Sequence, residues 1–342
     1  MRILLTVDPE IPVPPKLYGG IERIADGLTK GYTEAGNEVF LIAHPDSTCK
    51  YTKQNFAWPF LRSGGIKNIL GNMRFLFSIT KKIKPDVVHS FSRLLYGYPI
   101  FFSLKKQIFV QSYQRKISHK STNLAYKIAG KKLHFTSCAS HMIKGLPNQQ
   151  AFTPIFNFTD VDYFNIDPFA ERTHLMYLGR IENIKGTKEA IVAAIESGNK
   201  IIVAGNIQPG HEEYFNHEIK PFLDNPLVQY VGPVNDEQKR YYLQRAKALL
   251  FPIKWEEPFG IVLAESLACG TPIIGFNKGS VQEIIIHNKN GFIVNNITEM
   301  IDYVYKLDSL SYSAIGKDAV KRFSLKAIKD QYLRLFFSLC NY

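Results

Sequence analysis

The sequence predicts an α/β protein built from two doubly wound, Rossmann-like domains facing a central cleft. Short β-branched runs alternate with stretches of helical spacing, the alternation pauses once and restarts, and 342 residues suit about two domains at roughly 100 to 200 each. In the first half, residues 3–7, 38–43, 86–89 and 107–110 read as strands, and 21–35 carries helical spacing. In the second half, residues 174–178, 200–204, 228–231, 248–252 and 272–276 read as strands, each followed by a turn or helix. Strands separated by helices form parallel sheets, and such sheets bind ligands at the carboxyl ends of their strands.

The pause falls at Asn157-Phe158-Thr159-Asp160-Val161-Asp162-Tyr163-Phe164 and Asp167-Pro168, a polar stretch rich in turn formers. The expected division is therefore a first domain over 1–158, a linker over 159–171 and a second domain over 172–324, with a C-terminal helix near 325–342 expected to pack back onto the first. Hydrophobic residues make up 45% of the chain, enough for two buried cores. The opening apolar run stops at Asp8-Pro9, shorter than a signal peptide or the roughly 20 residues of a spanning helix. Cys49, Cys138, Cys269 and Cys340 lie far apart with no CxxC pair, which reads as reduced thiols in a cytoplasmic protein rather than a disulfide framework or zinc site.

Charge is unevenly placed. The net charge is +12, yet residues 51–150 alone hold 17 basic residues against the single acid Asp86. Such a field attracts an anionic partner, whether phospholipid, an acidic acceptor or nucleic acid. Residues 66–83 place Ile66, Ile69, Leu70, Met73, Leu76 and Phe77 at helical spacing among Lys67, Arg74, Lys81 and Lys82. That pattern fits a membrane-surface helix and also a core helix with a basic edge, and the strand predicted directly after it favours the core.

Chemistry concentrates in Trp255-Glu256-Glu257-Pro258-Phe259-Gly260-Ile261 and the residues up to Pro272. Pro258 near a first helical position, with Gly270 and Pro272 at the exit, predicts one short helix whose N-terminus suits phosphate. Glu257 and Glu265 stand eight apart, one at that N-terminus and one about two turns deeper. A carboxylate beside a bound diphosphate is repelled unless it accepts hydrogen bonds, and sugar hydroxyls supply them.

Here the chain resembles the retaining, nucleotide-sugar-dependent glycosyltransferases of family 4, whose GT-B fold has two Rossmann-like domains. Glu257 and Glu265 match the E-x7-E signature. The likeness continues through Tyr177-Leu178-Gly179-Arg180 to Lys185-Gly186, Ala204-Gly205, Tyr230-Val231-Gly232, Tyr18-Gly19-Gly20, Asp86-Val87-Val88-His89 and the stretch from Asn157 to Phe164. The resemblance implies an acceptor-binding first domain and a donor-binding second domain. It implies that Arg180 and Lys185 clamp the donor diphosphate, that Glu265 holds the nucleotide ribose and that Glu257 contacts the donor sugar. Backbone around Gly179, Gly232, Phe259, Gly260 and Ile261 would line the donor, and Gly19 and Gly20 would let the opposite domain approach the diphosphate. His89 and Tyr113 are candidate contacts to donor sugar or acceptor, with a structural role the competing reading for His89.

Two departures stand out. Val110-Gln111-Ser112-Tyr113-Gln114 lacks the histidine that the family often carries there, leaving Tyr113 or Gln111 in its place, and Phe158 replaces the usual linker glycine. Asp160-Val161-Asp162 resembles a metal-binding DxD but falls in the linker pattern, so no metal or other cofactor is expected. No G-x-G-x-x-G follows the first strand, which argues against a nicotinamide dehydrogenase. The expected activity is metal-independent, retaining transfer of a hexose-type sugar from a nucleotide-diphosphate sugar to a carbohydrate or glycolipid acceptor hydroxyl in envelope or surface polysaccharide assembly. An anionic membrane surface is expected to meet residues 51–150, through Lys105, Lys106, Lys131 and Lys132 and aromatics such as Tyr96, Tyr98, Phe101 and Phe102. The alternative is a basic nucleic-acid- or anion-binding protein without transferase activity; it leaves Arg180, Lys185, Glu257 and Glu265 without a role.

Overall fold

The computed structural model describes residues 1–16, 19–62, 64–104 and 106–340; Tyr18 and Lys105 lie outside them. It divides into two compact units, one of Met1–Asn157 with the chain from Leu325 onward, the other of Phe158–Ser324.

The first unit runs β1 (Arg2–Thr6), α1 (Gly20–Glu34), β2 (Glu38–Ala43), β3 (Gln54–Ala57), α2 (Ile66–Ile83), β4 (Val87–Ser90), α3 (Tyr98–Ser103), β5 (Ile108–Tyr113), α4 (His119–Ala129), β6 (Leu133–Ser137) and β7 (Phe152–Pro154). All seven strands are parallel, in the order β3-β2-β1-β4-β5-β6-β7. One sheet face carries a core of Leu4, Ile42, Val88, Phe109 and Phe135 beneath Leu76 and Ile79 of α2, Phe101 of α3 and Ala125 of α4. Successive strand residues face opposite sides, so His89 points to the other face, where Tyr32 of α1 lies. The 66–83 helix is thus a core helix, capped at its end by Lys84 in the left-handed region. Of the four aromatics named as candidate interfacial anchors, several of them expected in the core, Tyr96 and Phe101 are buried, Tyr98 is half-buried and Phe102 is exposed.

The second unit runs β8 (His174–Leu178), α5 (Thr187–Glu196), β9 (Ile201–Ala204), α6 (Glu212–Tyr214), β10 (Val228–Gly232), α7 (Asp236–Gln244), β11 (Ala246–Phe251), α8 (Ile261–Ala268), β12 (Ile273–Phe276), α9 (Val281–Ile284), β13 (Gly291–Val294), α10 (Ile297–Val304) and α11 (Tyr312–Phe323). Its six parallel strands lie in the order β10-β9-β8-β11-β12-β13. A last helix, α12 (Leu325–Cys340), packs against α1 in the first unit. Both sheets reverse their strand order beside their first strand, and in open α/β sheets the crevice for ligands opens at that reversal.

Residues 159–171, read as the linker, pack into the second unit. Phe164 is buried, Gln244 donates to Asn165 O at 2.8 Å, and Arg245 pairs with Asp167 at 3.7 Å. The helix expected to begin near Pro258 begins at Ile261 instead, because Gly260 at φ +75° takes a conformation outside the helix. Strands β3, β6, β7 and β13, each of three to five residues, were not read from the sequence. All four cysteines are free, three of them buried. Among the described residues, no helix is long and apolar enough to cross a membrane, and no group of three His, Cys, Asp or Glu could hold a metal ion.

Candidate active site

In the second unit the reversal lies between β8 and β11, and the residues that leave those two strands are the ones singled out from sequence. Gly179 follows β8, its N–H donating to Ala204 O at 3.1 Å, and a Cβ at neighbouring Gly205 would lie 1.7 Å from Gly179 O. Gly205 N–H in turn donates to Gly232 O at 2.8 Å, and Gly232 sits at φ +70°. Three glycines therefore bring the ends of β8, β9 and β10 close together with bare backbone between them. Arg180 comes next, its Nη1 2.9 Å from Oε1 of Glu182; the arginine is 41% exposed and the carboxylate 4%. A buried carboxylate thus aims a guanidinium that keeps its other donors for solvent or ligand.

Lys185 is placed by a second glycine. Gly186 at φ +75° has its hydrogen where a Cβ would stand 2.0 Å from Pro252 O, which seats the 183–185 turn on the end of β11. From there Lys185 Nζ donates to Glu257 Oε2 at 2.6 Å and lies 4.9 Å from the Trp255 ring, while Trp255 Nε1 donates to the same oxygen at 3.1 Å. The loop bearing Glu257 is strapped down: Ser280 N–H donates to Glu257 O at 3.0 Å, Ser280 Oγ to Phe259 O at 2.6 Å and Gly279 N–H to Glu256 Oε2 at 2.7 Å. This strap, with Gly260 behind it, sets the first turn of α8, where Leu263 N–H donates to Gly260 O at 2.9 Å and the N–H groups of Ile261 and Val262 precede the helical ladder.

Glu265 lies one turn further along α8 and is 5% exposed. Its Oε1 accepts from Lys239 Nζ at 2.6 Å, and its Oε2 is buried with no hydrogen-bond partner among the described residues. Lys239 also reaches Asp236 at 3.1 Å and covers the Phe164 ring at 4.8 Å. Burial alone would depress the Lys239 ammonium, but the Glu265 and Asp236 carboxylates outweigh it and raise its pKa.

The structure thus joins Lys185 to Glu257 across 72 positions and clusters Gly179, Gly205 and Gly232. Three residues of this neighbourhood went without an assigned role in the sequence: Glu182, Trp255 and Lys239. Lys239 sits in the polar run Asn235-Asp236-Glu237-Gln238-Lys239-Arg240, which reads as a solvated helix face.

The remaining candidates belong to the first unit. Gly19 caps α1 with extended backbone, and a Cβ there would lie 2.8 Å from Glu22 Oε2; Gly20 is the first helical residue. His89, expected as a possible ligand contact, is fully buried: Nδ1 shares a hydrogen bond with Tyr32 OH at 3.2 Å and Nε2 one with Ser112 Oγ at 2.7 Å. Burial pushes its pKa down to about 3, so it is a neutral core residue. Tyr113 closes β5, half-buried near Phe135, with burial raising its phenol well above the ordinary value. Asp8, unassigned from sequence, follows β1, and Oδ1 accepts from Arg93 N–H at 3.1 Å.

Two parallel-sheet α/β units with this strand order define the GT-B class, and solved structures share it. A glycosyltransferase from Rickettsia africae matches over 99% of this chain and 98% of its own, with a TM-score of 0.79 at 18% identity. The Anabaena HepE protein, solved with UDP and glucose, matches over 99% and 100%, with a TM-score of 0.76 at 16% identity. Residues 162–322 match the family described as glycosyl transferases group 1. An uncharacterized 42.6 kDa protein in the cps region of Klebsiella pneumoniae is 24% identical across 94% of this chain and 96% of its own. The D-inositol 3-phosphate glycosyltransferase of Pseudarthrobacter chlorophenolicus is 24% identical over 151 residues, 42% of this chain and 35% of that one. This chain therefore aligns with only about a third of that relative's length. Together the matches show the GT-B fold, and they liken residues 162–322 to the group 1 glycosyl transferases.

Proposed function

We propose that the protein transfers a sugar, with retention of anomeric configuration, from a nucleotide-diphosphate sugar to an acceptor hydroxyl in the assembly of a surface polysaccharide or glycolipid. The observation that carries this reading is the Lys185–Glu257 pair at 2.6 Å, set beside the N-terminus of α8 at the carboxyl edge of the second sheet. A diphosphate arriving there draws on Lys185 and Arg180, and the carboxylate that Lys185 shares is left to accept sugar hydroxyls. Glu265, with one oxygen lacking a partner, suits a ribose hydroxyl.

In the transition state the sugar carries oxocarbenium character while negative charge grows on the departing diphosphate. Arg180, Lys185 and the first N–H groups of α8 are fixed before the reaction, so they stabilise that charge without reorganising. Front-face attack by the acceptor accounts for retention. The UDP bound in the Anabaena relative supports a nucleotide donor, and the Klebsiella relative's cps-region location supports a polysaccharide setting.

The test is a thermal-shift screen of UDP-, GDP- and ADP-sugars, since a donor that binds the folded state raises its melting temperature. At least one is expected to stabilise the protein, with Arg180→Ala and Lys185→Ala each lowering kcat about 100-fold or more. No shift with any donor, or near-normal turnover in both variants, overturns the reading.

A further inference from the structure

We infer that Lys239 sets how the nucleotide is read: it engages one oxygen of Glu265, so the site reads one ribose hydroxyl rather than two and takes a nucleotide that lacks the other. This rests on the reading of Glu265 as the ribose contact and adds a specificity to it. Glu265 is 5% exposed, and its two oxygens differ. Oε1 accepts from Lys239 Nζ at 2.6 Å, while among the described residues nothing donates to Oε2. Ribose offers two neighbouring hydroxyls, and a carboxylate with both oxygens free accepts one on each. With Oε1 engaged, Glu265 has a single oxygen left for the pair.

The first turn of α7 holds Lys239 in place. Asn235 Oδ1 accepts from Gln238 N–H at 2.9 Å, Gln238 Oε1 accepts from Asn235 N–H at 3.0 Å, and Lys239 N–H donates to Asn235 O at 2.9 Å. This capping box fixes where the helix starts, and α7 packs against α8 with Lys239 turned to Glu265. Asp236 Oδ1 lies 3.1 Å from the same ammonium and the Phe164 ring 4.8 Å from it. The lysine side chain is 14% exposed, so water competes little for it. Two carboxylates keep the ammonium charged, and its withdrawal would strand the Glu265 charge in the interior, a cost that one ribose hydroxyl does not offset. Lys239 therefore stays on Oε1 when a nucleotide arrives. A buried acceptor without a partner costs stability, and at Oε2 a ligand hydroxyl removes that cost.

Calorimetric titration of the full chain with UDP, ADP and GDP, and with the 2′-deoxy and 3′-deoxy forms of each, tests this. For the nucleotide that binds, one deoxy form is expected to match the parent within about threefold and the other to bind about 10-fold or more weaker, the loss of one hydrogen bond to a charged acceptor. Glu265→Met, which leaves Lys239 to Asp236, should erase the difference between the two deoxy forms. Lys239→Met, titrated well below its melting midpoint, frees Oε1, and the deoxy form that matched the parent should now fall behind it by about 10-fold. A lysine that only braced the fold would lower stability and leave these ratios unchanged. The ratios on the unmodified protein carry the test if Lys239→Met does not fold. Equal, strong losses for both deoxy forms mean that Glu265 reads both hydroxyls and overturn the inference. So does indifference to both, and so does a folded Lys239→Met protein with the original ratios. If UDP, ADP and GDP all fail to bind, the transferase reading falls as well; if one binds and only the ratios fail, this inference alone is lost.

Discussion

At the scale of the residue, buried charges decide most. Lys239 and Glu265 are both largely enclosed, and each is the other's compensation. Lys239→Met should cost about 3–5 kcal/mol in urea melts, because it strands the Glu265 carboxylate. Adding Glu265→Gln should recover a large part of that loss, and a double variant as unstable as the single one would show that the pair is not the cause. Asp8 is the opposite case. Burial first, then the neighbouring Glu10, raise its pKa from 3.8 to about 6 against the pull of Arg93 and Arg115. The folded state binds this proton more tightly than the unfolded chain does. The stability Asp8 contributes is therefore complete below about pH 4 and lost as pH rises through about 6. Asp8→Asn, which keeps an acceptor for Arg93 N–H, should match the parent's unfolding free energy near pH 4 and exceed it above pH 7 by on the order of 3 kcal/mol. Equal pH profiles would remove Asp8 from the account. Neither burial could be read from the sequence, where Lys239 lies in a polar run and Asp8 beside a proline-rich loop.

At the scale of the element, α8 and α12 show what local pattern does and does not specify. The helix formers of α8 and the Gly270 exit were legible, but its start was not: Pro258 suits a first turn, while Gly260 and the strap from Ser280 hold the preceding loop out of the helix. Its far end is tied by Arg172, whose Nη2 donates to Cys269 O at 3.0 Å. In α12, Ile328, Tyr332 and Phe336 share a face, and Phe336 lies 5.3 Å from the His89 ring and 5.7 Å from Tyr32. A helix at the end of the chain thus closes the core of the unit at its beginning. Phe336→Ala should cost about 3–5 kcal/mol, read as a lower denaturation midpoint. A loss below about 1 kcal/mol would mean that α12 adds little to that core.

At the scale of the whole molecule, charge placement and strand order bear on function. In the proposed reaction Arg180 and Lys185 would take the place of a divalent ion at the diphosphate, so turnover is expected to persist in EDTA once a donor is found. Strict dependence on magnesium or manganese would overturn that assignment. The two-unit α/β architecture was legible because β-branched runs and helical spacing are local properties, repeated often enough that a few missed strands did not hide the plan. The basic block was legible too, since counting needs no coordinates. Glu257, Lys185 and Glu265 could be nominated by spacing and resemblance, because a motif lies along the chain. The sequence by itself determined which residue types are present, their periods and their charge. Only the tertiary structure decided that Lys185 reaches Glu257 across 72 positions, that Lys239 guards Glu265, that His89 is sealed in the core and that Leu70, Phe102 and Leu124 face outward among lysines. Burial and pairing depend on what the rest of the chain brings alongside, and that is settled only when distant segments pack.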